Sequence, residues 1–314
     1  MKKISNLLMM ALLTIGMGLT SCDEQLDNAV TPYTPGLTPT VEEAIMYGFK
    51  VTDLAGVDRT EVVTSLKMSN EDGSQVVEAE VSADHKITIK NTALTAASFT
   101  AAADYWFEAE IGGKPYVAKV YIDPTALSPE TDKTLEMATL GDVILSDGKF
   151  GVAEATGAVA KICYLGSETA EAAYGFNHGL ALALSDASTG CNWKTEQTDA
   201  GHTKQTSSTF TEESGLQYNA THNSDTYPAF KAAINYNGAV APTGCSAWFL
   251  ASGYQWKKMI DAAGLSNLGL QESANYWSST ESGAFYAWLF DSSYGGWGNA
   301  YKNDVSRVRA CLAF

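Results

Sequence analysis

The chain has 314 residues and carries 36 acidic against 20 basic side chains, a formal net charge of −16 at pH 7. So acidic a chain repels nucleic acid and anionic lipid headgroups, which argues against both as partners. The length suffices for two domains, and 45% hydrophobic residues can supply their cores.

The first elements are processing signals. Lys2 and Lys3 precede an apolar run from Leu7 to Leu19. That is too short for a bilayer, which takes roughly 18 residues or more. The run ends in Leu19-Thr20-Ser21-Cys22, which resembles a bacterial lipobox. The resemblance implies a signal peptide over 1–21, cleavage before Cys22 and lipidation of that cysteine. An ordinary secretory signal followed by a chance cysteine is the alternative. Cleavage would remove Lys2 and Lys3 and take the net charge from −16 to −18. Asp23-Glu24 resembles the surface-export signal of Bacteroides-type lipoproteins. In enteric bacteria an aspartate here implies inner-membrane retention, so the final leaflet stays open. No later run is long enough for a transmembrane helix, which leaves the lipid as the expected anchor, in the outer membrane. Residues 22–40, with three prolines in Thr31 to Thr40, read as a lipidated cysteine and an extended tether.

Residues 41–125 read as all-β. Tyr105, Phe107, Ala109 and Ile111 alternate with Trp106, Glu108 and Glu110, and Gly112-Gly113 turns the chain into a second strand, Pro115 to Ile122. Short strands with turns between them predict a small immunoglobulin-like sandwich acting as a spacer. Residues 126–134, next to Pro124 and including Pro129, read as a linker.

A second domain is expected over 135–314. Ala158 to Leu165 and Gly179 to Leu184 read as strands. Residues 195–226, rich in Thr, Ser, Asn and His and without periodicity, read as a long polar insertion. Tyr227 to Tyr236 reads as a helix with Pro228 in its first turn. Ser252-Gly253-Tyr254-Gln255 is a capping box opening a helix that carries Trp256, Met259 and Ile260 and stops at Gly264. Cys163, Cys191, Cys245 and Cys311 are widely spaced. Export permits disulfides between them, a free buried thiol suits Cys163 and Cys311 equally well, and the absence of C-x-x-C argues against zinc.

The stretch from Ser282 to Ser306 has another character. It holds Phe285, Tyr286, Trp288, Phe290, Tyr294, Trp297 and Tyr301, a far higher aromatic density than the 11% of the whole chain. Serine, glycine, tyrosine and asparagine make up about half of it, and the only charges are Asp291, Lys302 and Asp304. Rigid aromatics among small adaptable polar residues make the composition of a paratope. A core strand would be richer in Val, Ile and Leu.

Around this stretch stand Trp248-Phe249-Leu250-Ala251-Ser252-Gly253-Tyr254-Gln255-Trp256, Tyr276-Trp277-Ser278-Ser279-Thr280-Glu281 and the closing Arg307-Val308-Arg309-Ala310-Cys311-Leu312-Ala313-Phe314. The set resembles the C-type-lectin-like domains of bacterial surface proteins, departing at Ala251 and Gln255, where those carry proline and glutamate. It covers residues 135–314 and implies an α+β fold: a C-type-lectin-like domain preceded by the small all-β sandwich. More narrowly it resembles the variable proteins of diversity-generating retroelements, in which the end of the gene is rewritten at adenines within a constant frame. That resemblance implies ligand contacts at Phe285, Tyr286, Leu289, Asp291, Tyr294, Gly296, Gly298, Asn299, Ala300, Tyr301, Asn303, Asp304 and Ser306, and the aromatic density adds Trp297. A lectin-like domain whose gene is not rewritten is the alternative.

No H-E-x-x-H, G-x-S-x-G or phosphate loop occurs, so no enzyme, cofactor or catalytic residue is expected. The E-P-N, Q-P-D and W-N-D signatures of calcium-dependent sugar binding are also missing, so no metal is expected. The sequence therefore predicts a surface lipoprotein that binds a protein or glycan on another cell, a host or a phage. The alternatives are a subunit or tip protein of a surface fibre and, from the enzyme class, a surface enzyme.

Overall fold

A computed structural model describes residues 46–124 and 132–314. The lipobox, Cys22 and the proline-rich tether lie outside the described residues. Residues 46–139 contribute β1 (Met46–Asp53), β2 (Val63–Ser69), β3 (Val76–Glu78), β4 (Glu80–Val81), β5 (Ile87–Lys90), the short helix α1 (Asn91–Ala96), β6 (Ala103–Ile111), β7 (Lys114–Ile122) and β8 (Asp132–Thr139). All eight strands join one sheet, in the order β3-β2-β6-β7-β8-β1-β5-β4.

The Gly112-Gly113 hairpin forms as the sequence predicts. Both glycines have positive φ (57° and 74°), the geometry of a tight two-residue turn, and nine residue pairs of β6 and β7 match without a shift. Alternation then divides β6. Tyr105, Phe107, Ala109 and Ile111 face a core with Phe49, Val51, Leu66, Met68 and Leu135, while Trp106 joins the core of the C-terminal half.

The immunoglobulin-like sandwich expected for 41–125 does not form. A single sheet curls around its own core into a nearly closed, barrel-like form. Its closure depends on β8, which pairs in parallel with β1 and sets Leu135 beside Val51, both fully buried. The pairing joins the first strand of this sheet to the last in chain order, as a parallel connection requires a long crossover. Local alternation carries no sign of such a partner.

The C-terminal half holds β9 (Val143–Leu145), β10 (Phe150–Gly151), β11 (Ala158–Leu165), β12 (Gly179–Ala183), β13 (Ser188–Asn192), the helices α2 (Asn219–His222) and α3 (Pro228–Ile234), β14 (Phe249–Leu250), the helix α4 (Gly253–Ala263), and β15 (Asn275–Glu281), β16 (Tyr286–Asp291), β17 (Gly296–Tyr301), β18 (Val305–Val308) and β19 (Ala310–Ala313). They build a six-stranded sheet, β10-β9-β11-β12-β19-β14, and a five-stranded sheet, β13-β18-β15-β16-β17.

The expected α+β, C-type-lectin-like class is also corrected. Strands take 39% and helices 15% of the structure, which is mostly β with several sheets. The reason lies in the long polar stretch. Without an apolar stripe it has no face to bury as a helix, and 195–226 yields only a single 3-10 turn and the four-residue α2. The two longer helices of this half have 7 and 11 residues.

The predicted capping box does form. Ser252 Oγ accepts the Gln255 N–H at 3.2 Å, and Gln255 Oε1 accepts the Ser252 N–H at 2.9 Å. Trp256 and Met259 are buried beneath it, and Gly264, at φ 76°, ends the helix. Trp193, Phe230, Trp248, Trp277 and Leu312 pack in the main core of this half. His178 ties that core to the first sheet: it stacks on Trp106 at 4.2 Å and meets Glu108 at 2.8 Å. All four described cysteines are free thiols. Burial pushes the Cys163 thiol up to about 12 and raises Cys311 as well, so both stay protonated and unreactive. No helix among the described residues is long and apolar enough to cross a membrane.

Candidate functional site

The aromatic stretch folds as the β16–β17 hairpin. Its register runs without a shift from Tyr286 opposite Tyr301 to Asp291 opposite Gly296. The turn between them is set by Gly295, at φ 71°, whose N–H reaches the Asp291 carbonyl at 3.0 Å, while the Asp291 carboxylate accepts the Ser293 N–H at 2.7 Å.

Alternation sends the predicted contact residues to two faces. Tyr286, Trp288 and Phe290 share a face with Trp297, Asn299 and Tyr301. Ala287, Leu289 and Asp291 share the other with Gly296, Gly298 and Ala300. The first face is closed at one end. Phe290 is fully buried, stacked on Trp256 at 5.9 Å and edge-on to Trp297 at 5.7 Å. Phe210, from the polar stretch, covers Trp297 at 4.5 Å and Trp288 at 5.8 Å, and the Trp288 indole donates to the Gln205 carbonyl at 2.7 Å. Trp288 and Trp297 are therefore only half-buried, in contact with that loop rather than deep in the core.

The other end is open. Phe285 is 52% exposed, Tyr301 42% and, at the turn, Tyr294 72%. Tyr286 and Tyr301 stack at 4.5 Å, and the Tyr301 side chain beside it raises the Tyr286 pKa. Asn299, Asn303 and Asp304 are exposed; Asp291, Gly296, Gly298 and Ala300 are half-buried. Leu289 and Ser306 are buried instead. Leu289 packs with Trp277 and Trp193, and Ser306 sits in β18 opposite Cys191. The hairpin thus gathers Phe285, Tyr286, Asn299 and Tyr301 at one end and sets Tyr294 at the turn.

Beneath that open end lies a buried polar floor. Glu281, at the end of β15, and Lys302, just after β17, are both fully buried and paired with each other. Lys302 Nζ also donates to the carbonyls of Thr198 (3.0 Å) and Ala284 (2.8 Å). Glu281 accepts the backbone N–H groups of Ala200 (2.7 Å) and His202 (3.0 Å) and the Lys204 ammonium at 3.0 Å. Burial lowers the Lys302 pKa, and the Glu281 carboxylate opposes that shift. The polar stretch is in this way pinned to the hairpin by charge as well as by Phe210.

A second lock follows along the same stretch. The His202 ring stacks on Tyr218 at 3.8 Å, its Nδ1 lies 3.1 Å from the Ser279 carbonyl, and its Nε2 lies 2.9 Å from Nε2 of His222. His222 Nδ1 lies 2.7 Å from the Thr221 hydroxyl. One proton arrangement satisfies the whole row: Thr221 donates to His222, His222 to His202, and His202 to Ser279. Both rings are then neutral. Burial lowers each pKa to about 4, with mutual repulsion as a further cause for His202.

Sequence reasoning did not find Glu281, His202, His222 or Phe210 as parts of this region, and it placed Lys302 within the stretch without giving it a role. One signal was available: Lys302 is the only cation in an otherwise aromatic, glycine-rich stretch, and a lone lysine there needs a carboxylate partner. Among the described residues no group of three or more His, Cys, Asp or Glu side chains could hold a metal ion. The clefts lie beside the hairpin end or away from it. One of about 560 Å³ adjoins the turn at Leu265, Gln271, Ser292 and Ser293, and another of about 650 Å³ lies against β2 and β6 near His178.

No family model and no curated protein matches the chain. Among solved structures the chain is similar to a fimbrial protein from Bacteroides ovatus ATCC 8483. The two are 13% identical, the match covers 86% of this chain and 71% of that one, and the TM-score is 0.43. A likeness that distant decides nothing about this chain. Nothing in these comparisons connects it with a lectin-like domain or a diversity-generating retroelement.

Proposed function

We propose that the chain is a non-enzymatic, lipid-anchored cell-surface protein that docks another polypeptide through the open end of the β16–β17 hairpin, as a subunit or tip protein of a surface fibre. The observation that carries the reading is the contrast within one hairpin. Phe285 and Tyr301 stand at the surface with the half-buried Tyr286 beside them, above a frame fixed by the buried Glu281–Lys302 pair, and Tyr294 stands exposed at the turn. Exposed aromatics on a rigid support are the anchors that dominate protein interfaces. They stand on a hairpin at the edge of a sheet rather than in a cleft, which suits a macromolecular partner better than a small molecule.

The second reading uses the same surface: an adhesin that holds a ligand on another cell, a host or a phage. The paratope-like mixture of tyrosine, glycine and asparagine favours it. Purified outer membranes separate the two. A fibre subunit runs in high-mass assemblies that Tyr294→Ala/Tyr301→Ala breaks up. A protein that stays single in the membrane with and without these changes is not a fibre subunit. Cys22→Ser should release the chain or leave it unprocessed. Unchanged processing and membrane fractionation would remove the anchor from the reading. Assembly that survives EDTA is expected, because the reading uses no ion.

A further inference from the structure

We infer that the free edge of β17 is a strand-addition site, at which an extended segment of a partner polypeptide pairs with the backbone of Trp297 and Asn299. The inference rests on the docking reading above and specifies its mode.

The ladder fixes which backbone groups are free. The Lys302 N–H donates to the Phe285 carbonyl at 3.0 Å, so these two residues form a hydrogen-bonded pair. In an antiparallel ladder such pairs alternate. Continuing the register, Ala300, Gly298 and Gly296 bond to β16, and Tyr301, Asn299 and Trp297 turn their N–H and C=O groups outward. At Tyr301 the edge is already closed: its N–H donates to Asp304 Oδ2 at 3.0 Å and its carbonyl accepts the Asp304 N–H at 2.8 Å. At Trp297 and Asn299 no such closure occurs among the described residues. Two donors and two acceptors remain, enough for a partner strand of about five residues.

Among the described residues the other sheet edges are protected, and this one is not. β3 has three residues, and β4, β10 and β14 have two each. β13 has five, but its pairing with β18 is broken by a register shift and helix α3 packs against it. Short strands, irregular pairing and covering helices are the usual defences against stray pairing. β17 is the longest edge, with six residues, an unbroken register, no charge and no proline.

The occupant is a different polypeptide rather than a second copy. Two copies would bring together chains of net charge −16, with Asp291 and Asp304 at the two ends of each hairpin. An extended segment that is neutral or basic avoids that repulsion and takes its main-chain bonds from the edge.

The probe is a library of random seven-residue peptides displayed on phage, selected against the purified chain. Each selected peptide is then synthesised, and its affinity is measured for wild type, Asn299→Pro and Asn299→Ala. Because the Asn299 N–H points out of the sheet, proline there removes the outward donor and blocks the edge while leaving the β16 ladder intact. The expected result is a loss of about tenfold or more with Asn299→Pro and little change with Asn299→Ala. A second measurement does not depend on the fold of the variant. N-methylation at alternate peptide positions should abolish binding to wild type for one parity and spare it for the other. Equal loss at both parities overturns strand addition, as does full affinity for a folded Asn299→Pro or a selection that yields no peptide. A dimer that Asn299→Pro dissolves would make the occupant a second copy and overturn the assignment of the partner. If Tyr294→Ala/Tyr301→Ala loses the peptides while Asn299→Pro keeps them, the docking reading stands and only its mode is wrong.

Discussion

β15 and β17 flank the same strand, and both carry aromatic residues, yet they do opposite work. In β15 every residue after Asn275 is buried; in β17 none is. β15 has partners on both sides, β16 and β18, while β17 has β16 alone. Trp277 on β15 reaches into the core and donates its indole N–H to the Cys191 carbonyl at 2.9 Å. Tyr301 on β17 has only the Tyr286 ring and solvent. Aromatic content alone therefore does not distinguish a frame from a surface. Position within the sheet does, and the frame supplies the rigidity that makes exposed rings usable as anchors.

The comparison breaks first at the charge that joins the two strands. Lys302→Met would leave the Glu281 carboxylate without its buried partner, and such losses cost about 3–5 kcal/mol. Glu281→Gln on its own strands the ammonium in the same way. The pair of changes together should recover much of the loss, because neither member then carries a charge. Urea denaturation of the three variants measures this. If Lys302→Met costs less than about 1 kcal/mol, the pair does not hold the hairpin to its floor.

Core truncation on β15 comes next. Trp277→Ala removes a fully buried ring and its indole hydrogen bond and should cost about 3–5 kcal/mol; Leu312→Ala, buried in β19, should cost about 2–5 kcal/mol. Trp288→Ala belongs below both, since its ring is half-buried against Phe210 and its indole bond goes to a loop carbonyl. Thermal melts that place Trp288→Ala level with Trp277→Ala would put the loop contact on the same footing as the core.

Acid should loosen the polar stretch from the frame. His202 and His222 have folded-state pKa values lowered to about 4 from an ordinary 6.5, so the unfolded chain binds more protons between these values. Their contribution is complete above pH 6.5 and is lost as the pH falls through about 4. The loss is on the order of 3 kcal/mol for each ring, and the repulsion between their protons in the folded state contributes to it. Burial raises the pKa of Glu213, which works in the opposite sense at acid pH. The comparison that isolates the histidines is therefore His202→Gln/His222→Gln against wild type. The variant should show a flatter stability profile between pH 6.5 and about 4. Equal slopes would mean that the histidine row does not control the acid response.

Much of the local structure was legible in the sequence. Gly112-Gly113, the alternation of β6, the Ser252–Gln255 capping box and Pro228 at the start of α3 each act within a few residues, and each formed as the pattern implies. What failed was what depends on distant partners. Val51 shows no sign that Leu135 will lie beside it, so the nearly closed eight-stranded sheet replaced the expected sandwich. The lectin-like expectation rested on blocks such as Tyr276 to Glu281 and Arg307 to Phe314. These do form strands, but strands occur in many folds, and the blocks did not carry the arrangement of the sheets around them. Within the candidate site the aromatic stretch was legible as a unit. Its two faces were not separated, although a period of two residues already sends Leu289 and Tyr286 in opposite directions. Glu281, His202 and His222 were out of reach because their partners lie 20 or more residues away.

The smallest expected effects sharpen the comparison most. Tyr294 has its ring in solvent, and Tyr294→Ala should shift stability by no more than about 0.5 kcal/mol. Tyr301 has one partner, the stacked ring of Tyr286, and a pair of that kind is worth about 0.5–1.5 kcal/mol when well packed. Both rings are open to solvent on one side, so Tyr301→Ala should fall near the lower end of that range. Tyr286→Ala removes the same contact and should cost the same amount. Adding it to Tyr301→Ala should then cost almost nothing further, because the contact is lost only once. A double-mutant cycle on these two tyrosines reads the coupling directly. Coupling near zero would mean that the two rings stand independently at the surface. Coupling well above the range of a stacked pair would mean that the open end of the hairpin is part of the frame, and the difference between β15 and β17 would then lie in exposure without a difference in structural role.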